Sequence, residues 1–235
     1  MAPLFDDQVA AYDRWYITPL GHLVDRLEKE ALFALLPELT GCRVLEVGCG
    51  TGNITRVLAQ RGARMVGLDV STPMLAAAQG RAKLQGFSPA LVRGWAGALP
   101  FPGNSFDGVI SILALDFMAH RPAVVCEMVR VLRPGGFLAL ALLNRYSLWT
   151  LKRVLWAWFK PSLWRQVRFA TPRELRRLLN DHPDLEGIST RQAVFFPPWA
   201  SPLLLRYYPA VEGLGHQLHL PTGAFMVGVA RKKAV

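Results

Sequence analysis

The apolar residues of this chain come in short runs and helical stripes that take turns. Val44, Leu45 and Val47 form one such run, closed by Glu46, and read as a buried strand. Gly48, Gly50 and Gly52 follow at alternate positions, and then Ile54, Val57, Leu58 and Arg61 fall at helical spacing. Arg64 to Leu68 is a second strand ending at Asp69. Ser71-Thr72-Pro73 caps a helix running to about Leu84. Pro89 to Arg93 and Phe106 to Leu113 are strands three and four, with Asp107 inside the latter. Pro122 to Leu132 is a helix opening on proline, and Phe137 to Leu143 is strand five. Thr171-Pro172-Arg173-Glu174 is a capping box ahead of Leu175, Leu178 and Leu179. Asp184 to Phe196 holds strand six, Pro197-Pro198-Trp199 opens a long proline- and aromatic-rich connection, and Ala224 to Arg231 is the last strand. At the start, Phe5, Val9, Tyr12 and Tyr16 share a helical face, and Thr18-Pro19 begins a second helix through Leu20, Leu23, Val24, Leu27, Ala31 and Leu35.

The strand, glycine loop and helix at 43–61 carry the first chemical signal. Glycines there permit positive φ and close approach of a ligand to the backbone, with helix-start N–H groups pointing at it. The acid closing the second strand completes a nucleotide-binding βαβ unit, in which the two oxygens of Asp69 accept from two ribose hydroxyls. A dinucleotide loop would read G-x-G-x-x-G; here an acid leads, as Glu46-x-Gly48-x-Gly50-x-Gly52.

That arrangement resembles motif I of the class I S-adenosylmethionine (SAM) dependent methyltransferases. Four further matches follow in order: Gly67-Leu68-Asp69-Val70-Ser71, Ala98-Leu99-Pro100-Phe101, Ser105-Phe106-Asp107-Gly108-Val109-Ile110, and Leu132-Arg133-Pro134-Gly135-Gly136. The resemblance is to the UbiE-like, methyltransferase type 11, small-molecule branch, and covers roughly residues 40 to 145. It implies an α/β, Rossmann-like, seven-stranded and mostly parallel sheet with helices on both faces and an antiparallel last strand. One domain would span 1–235, with a helical cap at 1–38, a SAM-binding core at 40–143 and acceptor-side inserts at 144–170 and 197–222. The resemblance implies SAM as cofactor, S-adenosylhomocysteine as product and no metal. It assigns the cofactor to Glu46, Gly48, Cys49, Gly50, Gly52, Asp69, Val70, Ser71, Met74, Trp95, Ala96 and Leu113. Tyr12-Asp13-x-Trp15-Tyr16-x-Thr18-Pro19 resembles the segment that caps this site in relatives; Tyr12 and Trp15 either cover the methionine end and acceptor or pack on the sheet. Asp116, just after strand four, is the best-placed acid to orient an acceptor or take its proton, and is otherwise a loop acid or helix cap. Asp116 and Tyr12 are the catalytic candidates.

Two features depart from the family pattern. Gly94-Trp95-Ala96 stands where an acid would accept from the adenine amino group; Trp95 either stacks on adenine or leaves it to backbone groups. The Asn/Asp-Pro-Pro-aromatic motif of nucleobase-amino methyltransferases is replaced by Ser111-Ile112-Leu113-Ala114, which argues against that chemistry.

Composition narrows the setting. Half of the 235 residues are hydrophobic, enough for a large core. No run of eighteen apolar residues and no basic-then-apolar leader occurs, so a cytoplasmic or membrane-peripheral protein is expected. Cys42, Cys49 and Cys126 show neither metal nor disulfide spacing. The net charge of +10 suggests an anionic partner: nucleic acid, a membrane surface or an acidic substrate. Between 144 and 170 the charges are all basic: Arg145, Lys152, Arg153, Lys160, Arg165 and Arg168, together with four of the seven tryptophans. Wound as a helix at about 100° per residue, Arg145 to Lys160 gathers its bases with Trp149 and Trp156 into one stripe and leaves the rest apolar. Such a helix is either a cap buried on three sides or rests on an anionic membrane beside the acceptor pocket. The expected reaction is methyl transfer to a small, hydrophobic or lipid-like acceptor; RNA methylation and SAM binding without catalysis are the alternatives.

Overall fold

The computed structural model describes residues 4–160, 162–199 and 201–234, with the side chains of Pro202 and Leu203 undescribed. Positions 1–3 of the expected cap, position 161 of the expected first insert and position 200 of the expected second insert lie outside the described residues. In chain order the elements are α1 (Val9–Tyr16), α2 (Pro19–Phe33), β1 (Arg43–Val47), α3 (Asn53–Gln60), β2 (Arg64–Asp69), α4 (Thr72–Leu84), β3 (Ala90–Arg93), β4 (Phe106–Ile112), α5 (Arg121–Val131), β5 (Leu132–Leu143), α6 (Leu148–Phe159), α7 (Pro172–Asn180), β6 (Leu185–Ala193), α8 (Pro202–Gln217) and β7 (Phe225–Lys232).

The strands form one sheet in the order β3-β2-β1-β4-β5-β7-β6. Every pairing is parallel except those of β7, which runs antiparallel to β5 and β6. This is the expected Rossmann-like sheet with its antiparallel last strand. β1, β4 and β5 are buried on both faces, as strands between two helical layers must be. One core layer gathers Leu45, Phe106, Met128 and Leu179; the other gathers Leu32, Leu58, Ile110 and Phe225. Chain order reverses between β1 and β4, so their carboxyl ends open a crevice at the switch point.

The helix starts follow local chemistry. Thr18, Ser71 and Thr171 each accept a backbone N–H of their own first turn, and Thr171 and Glu174 form the reciprocal box. Three expectations need correction. Phe5 is not on α1: it lies in the turns before Val9, with its ring edge-on to Phe117 at 4.7 Å. The connection after Trp199 is largely helical, as α8, despite Pro209 inside it. Tertiary contacts offset the missing proline donor: Tyr208 stacks on Phe196 at 4.1 Å, and Glu212 accepts from the N–H groups of Val194 and Phe195.

The third correction concerns α6, which is rotated relative to the expected buried cap. Trp149, Thr150 and Ala157 face inward, while Leu148, Leu151, Leu155, Trp156, Trp158 and Phe159 are exposed. Specific anchors set that rotation. The Trp149 indole donates to the Phe196 carbonyl at 2.8 Å, the Thr150 hydroxyl donates to the Asn144 carbonyl at 2.7 Å, and Arg165 donates to the Ala157 carbonyl at 2.6 Å. Among the described residues, no helix is long and apolar enough to cross a membrane.

Candidate active site

The glycine loop between β1 and α3 forms one wall of the crevice. Gly48, Gly50 and Gly52 all have positive φ. At Gly48 the reason is also steric, because a Cβ would stand 2.3 Å from that of Ala114. The loops after β1 and β4 therefore touch through a missing side chain. At Gly50, φ is +52° and a Cβ would meet nothing within 4 Å. The loop presents bare backbone to open space there. The loop amides are engaged elsewhere: Gly48 and Cys49 donate to the Leu68 carbonyl, Gly52 to that of Cys49, and Gly50 to Asp69 at 2.8 Å.

Asp69 links the loops. One oxygen accepts from Gly50 and the other from the Ser71 N–H at 2.9 Å, which leaves each with unused acceptor capacity. Glu46 lies beneath, only 3 % exposed, accepting from the Thr55 hydroxyl. Burial pushes its carboxyl up to about 8 against that hydrogen bond, and the Asp69 carboxylate adds to the rise. A buried acid with no cation paired to it among the described residues is an electrostatic opening for positive charge.

The N-terminal segment roofs this crevice through polar latches. Asp6 accepts from the Ser71 hydroxyl at 2.6 Å. Asp13 pairs with Arg81 of α4 and accepts from the Thr51 hydroxyl at 3.2 Å. Asp25 and Lys29 of α2 bind each other and both sides of the Asn53 amide, at the first turn of α3. Tyr12 keeps 36 % of its surface open, yet lies deep enough that burial pushes its hydroxyl up to about 12. The bond from Tyr16 opposes that rise, and the carboxylates of Glu46, Glu28 and Asp25 add to it. Tyr12 is a neutral phenol at physiological pH. Trp15 meets Trp149 of α6 edge-on at 5.9 Å.

Across the crevice, Leu113 has φ of +58°, a left-handed conformation uncommon for leucine, at the turn out of β4. Asp116 is fully buried; it accepts from the Leu143 N–H at 2.9 Å and pairs with Arg121 at 3.1 Å. Burial pushes its carboxyl up to about 7, while those two partners and Arg153 pull the other way. Arg121 also donates to the carbonyls of Leu115 and Arg168, joining the loop after β4 to the segment after α6.

The structure brings Gly48, Gly50, Gly52, Asp69, Ser71 and Leu113 together at the carboxyl ends of β1, β2 and β4, with Glu46 beneath; Ser71 and Gly52 are buried there. Val70 is exposed at the rim, and Gly94 donates to the Asp69 carbonyl, bringing the Trp95–Ala96 loop alongside. Trp95 is 67 % exposed, its ring lying over Gly97, while Ala96 is buried. The Cys49 thiol fills the notch at Gly67, and Met74 is 2 % exposed; both side chains turn into the protein.

Pattern reading passed over Asp6, Asp13, Arg81, Glu28 and Arg153. Glu28 carried a usable signal, standing four residues after Val24 and three before Ala31, on the apolar stripe of α2. Burial and Asp25 push its carboxyl up to about 8, against Arg153 and Lys29. By sequence, Arg153 falls in the basic stripe of α6. Its guanidinium instead lies over Trp164 at 4.2 Å and Trp149 at 5.5 Å, and its buried Nη1 makes no hydrogen bond among the described residues. Burial brings it down to about 10, with Glu28 and Asp116 opposing.

A family profile described as a methyltransferase domain matches residues 45–140. The demethylmenaquinone methyltransferase of Tropheryma whipplei (strain Twist) is 37% identical over 133 residues, 57% of this chain and 54% of that protein. The phthiotriol/phenolphthiotriol dimycocerosates methyltransferase of Mycobacterium leprae (strain TN) is 45% identical over 107 residues, 44% of this chain and 38% of that protein. The chain thus spans about half or less of the length of these curated relatives. Among solved structures, a SAM-dependent methyltransferase from Thermotoga maritima, described as a possible histamine N-methyltransferase, superposes with a TM-score of 0.74. It is 23% identical, and the match covers 97% of this chain and 98% of that one. At that identity the likeness establishes the fold.

Proposed function

We propose that this chain, whose residues 45–140 match a methyltransferase-domain family profile, transfers the methyl group of SAM to a small, hydrophobic or lipid-like acceptor. The observation that carries the reading is the glycine loop at the switch point, held to Asp69 through the Gly50 amide. The residues present fit the cofactor. Gly50 leaves open space where any other residue would put a Cβ. Asp69 retains acceptor capacity suited to ribose hydroxyls. Glu46 offers a buried carboxyl that a ligand carrying an ammonium and a sulfonium would draw into its ionised form. Glu46, the glycine loop, Asp69, Val70 and Ser71 would hold the cofactor, with Trp95 and Ala96 beside the base.

When bound, SAM supplies a sulfonium-activated methyl group for displacement by a nucleophile. The chain's task is then alignment and exclusion of water. Tyr12 and Trp15 of α1, with Trp149 edge-on to Trp15, would give an aromatic roof suited to an apolar acceptor. Tyr12, held as a phenol, can donate to an acceptor oxygen. We assign Asp116 a positioning role: its carboxylate fixes Arg121, the Leu143 amide and hence the floor of the acceptor side. The buried Nη1 of Arg153 favours an acceptor with an oxygen to receive it, since an unsatisfied donor costs about 1–3 kcal/mol. The lipid-like acceptors named for the relatives above support the same class.

The test is transfer of label from methyl-labelled SAM into separate lipid, RNA and polar small-molecule extracts. Label should enter the lipid fraction. Arg153→Met should lose that transfer while binding SAM as wild type does. Label in RNA alone, or in no fraction, sinks the reading.

A further inference from the structure

The outward face of α6 is apolar, basic and uncovered. Leu148, Leu151, Leu155 and Phe159 recur at helical spacing along it, with Trp156 and Trp158 at its flanks. Phe159 is 82 % exposed and Trp158 72 %. Pro198 and Trp199 extend this surface, and together they bound a groove of about 590 Å³ whose charged lining residues, among those described, are Lys152 and Lys160. Lys152 donates to the Pro198 carbonyl at 2.8 Å, fixing that segment to the helix. Lys160 stands over the Trp156 ring at 5.6 Å. No carboxylate occurs between 144 and 173.

We propose that this face docks on an anionic lipid bilayer, with α6 lying in the interface plane. At 12 residues the helix is about 18 Å long, from a rise of about 1.5 Å per residue, too short to span but suited to lie flat. Leucines and phenylalanine enter the acyl boundary, tryptophans sit at headgroup level, and the two lysines meet lipid phosphates. Charge complementarity selects this occupant over a second copy of the chain, since pairing α6 with its twin would bring lysine against lysine with no acid to answer. The opposite face of the helix carries Trp149 and Arg153, so docking would bring the acceptor side of the crevice to the bilayer. The proposal itself rests on the outer face alone and stands or falls independently of the acceptor's identity.

The test is cosedimentation of the full chain with vesicles of phosphatidylcholine, alone or mixed with phosphatidylglycerol. Wild type should pellet with the anionic vesicles at low salt, less with neutral ones, and less again at high salt. Lys152→Gln and Lys160→Gln should each weaken partition about fivefold, the factor that about 1 kcal/mol per base gives at room temperature. Leu155→Gln with Phe159→Ser should abolish pelleting while circular dichroism and SAM binding stay as in wild type. Failure to bind anionic vesicles at low salt overturns the proposal. Equal binding to neutral vesicles, indifferent to both lysines, also overturns it. So does a concentration-dependent dimer, dissolved by the Leu155/Phe159 changes, that leaves vesicles alone.

Discussion

At the scale of single residues, Asp69 bears the most on the site. It organises the crevice without a ligand, since both oxygens already hold backbone amides from the loops after β1 and β2. On the proposed function it would accept ribose hydroxyls as well. Charge-assisted hydrogen bonds contribute about 1.5–3 kcal/mol each, so Asp69→Ala should weaken SAM at least tenfold by calorimetry while circular dichroism stays native. Undiminished affinity would remove Asp69 from the site. Arg153 and Glu28 make the complementary point. A base and an acid in a charged-looking helix are ordinarily solvated, and only the meeting of α2 with α6 turns these two inward.

At the scale of elements, α1 is held to the glycine loop and α4 by polar contacts rather than by a greasy seam; none of its residues is fully buried. Asp13 ties it to Thr51 of the glycine loop and Arg81 of α4. The Asp13 and Arg81 side chains are each about a third exposed, so water screens the pair and its worth is held to about 1 kcal/mol at most. That suits a contact that must open to admit a ligand. Asp13→Ala should therefore speed both entry and exit of SAM by up to about fivefold while shifting the equilibrium less, as read by stopped-flow fluorescence. Unchanged exit would show that α1 does not gate the crevice. The element-scale surprise is α8, where tertiary contacts outweighed the proline inside it.

At the scale of the whole molecule, three carboxyls share one sign of shift, two of them buried and that of Glu28 partly so. Glu46 and Glu28 are pushed up to about 8, and Asp116 up to about 7, chiefly by burial. An unfolded chain releases these protons near pH 4, from ordinary carboxyl values of about 4. The folded chain holds them longer, so it binds more protons through that window. Stability from these groups is thus fully present at low pH and lost as pH rises from about 4.5 through about 8. The unliganded protein should lose melting temperature across that window, and Glu46→Gln should flatten part of the decline. Cationic SAM favours ionised Glu46, so its binding should tighten from pH 6 to 8 with proton release. Calorimetry in buffers of different ionisation enthalpy measures this, and Glu46→Gln should remove it. A flat affinity profile for wild type would detach Glu46 from the ligand.

Sequence by itself determined the strand–helix alternation, the helix starts at Thr18, Ser71 and Thr171, and the glycine loop with its two acids. These are local: a cap, a left-handed glycine and an apolar run act within a few residues, so their physics is written in the adjacent side chains. Tertiary structure alone decided which face of α6 turned inward, that the connection after Trp199 would coil as α8, and that Asp116, Glu28 and Arg153 would lose their water. Those outcomes depend on partners far along the chain, such as Phe196 for Trp149, Leu143 for Asp116 and Val194 for Glu212. A helix as apolar as α6 has no marked inner side until a neighbour offers its indole an acceptor, and a carboxyl has no shifted acidity until other segments close over it.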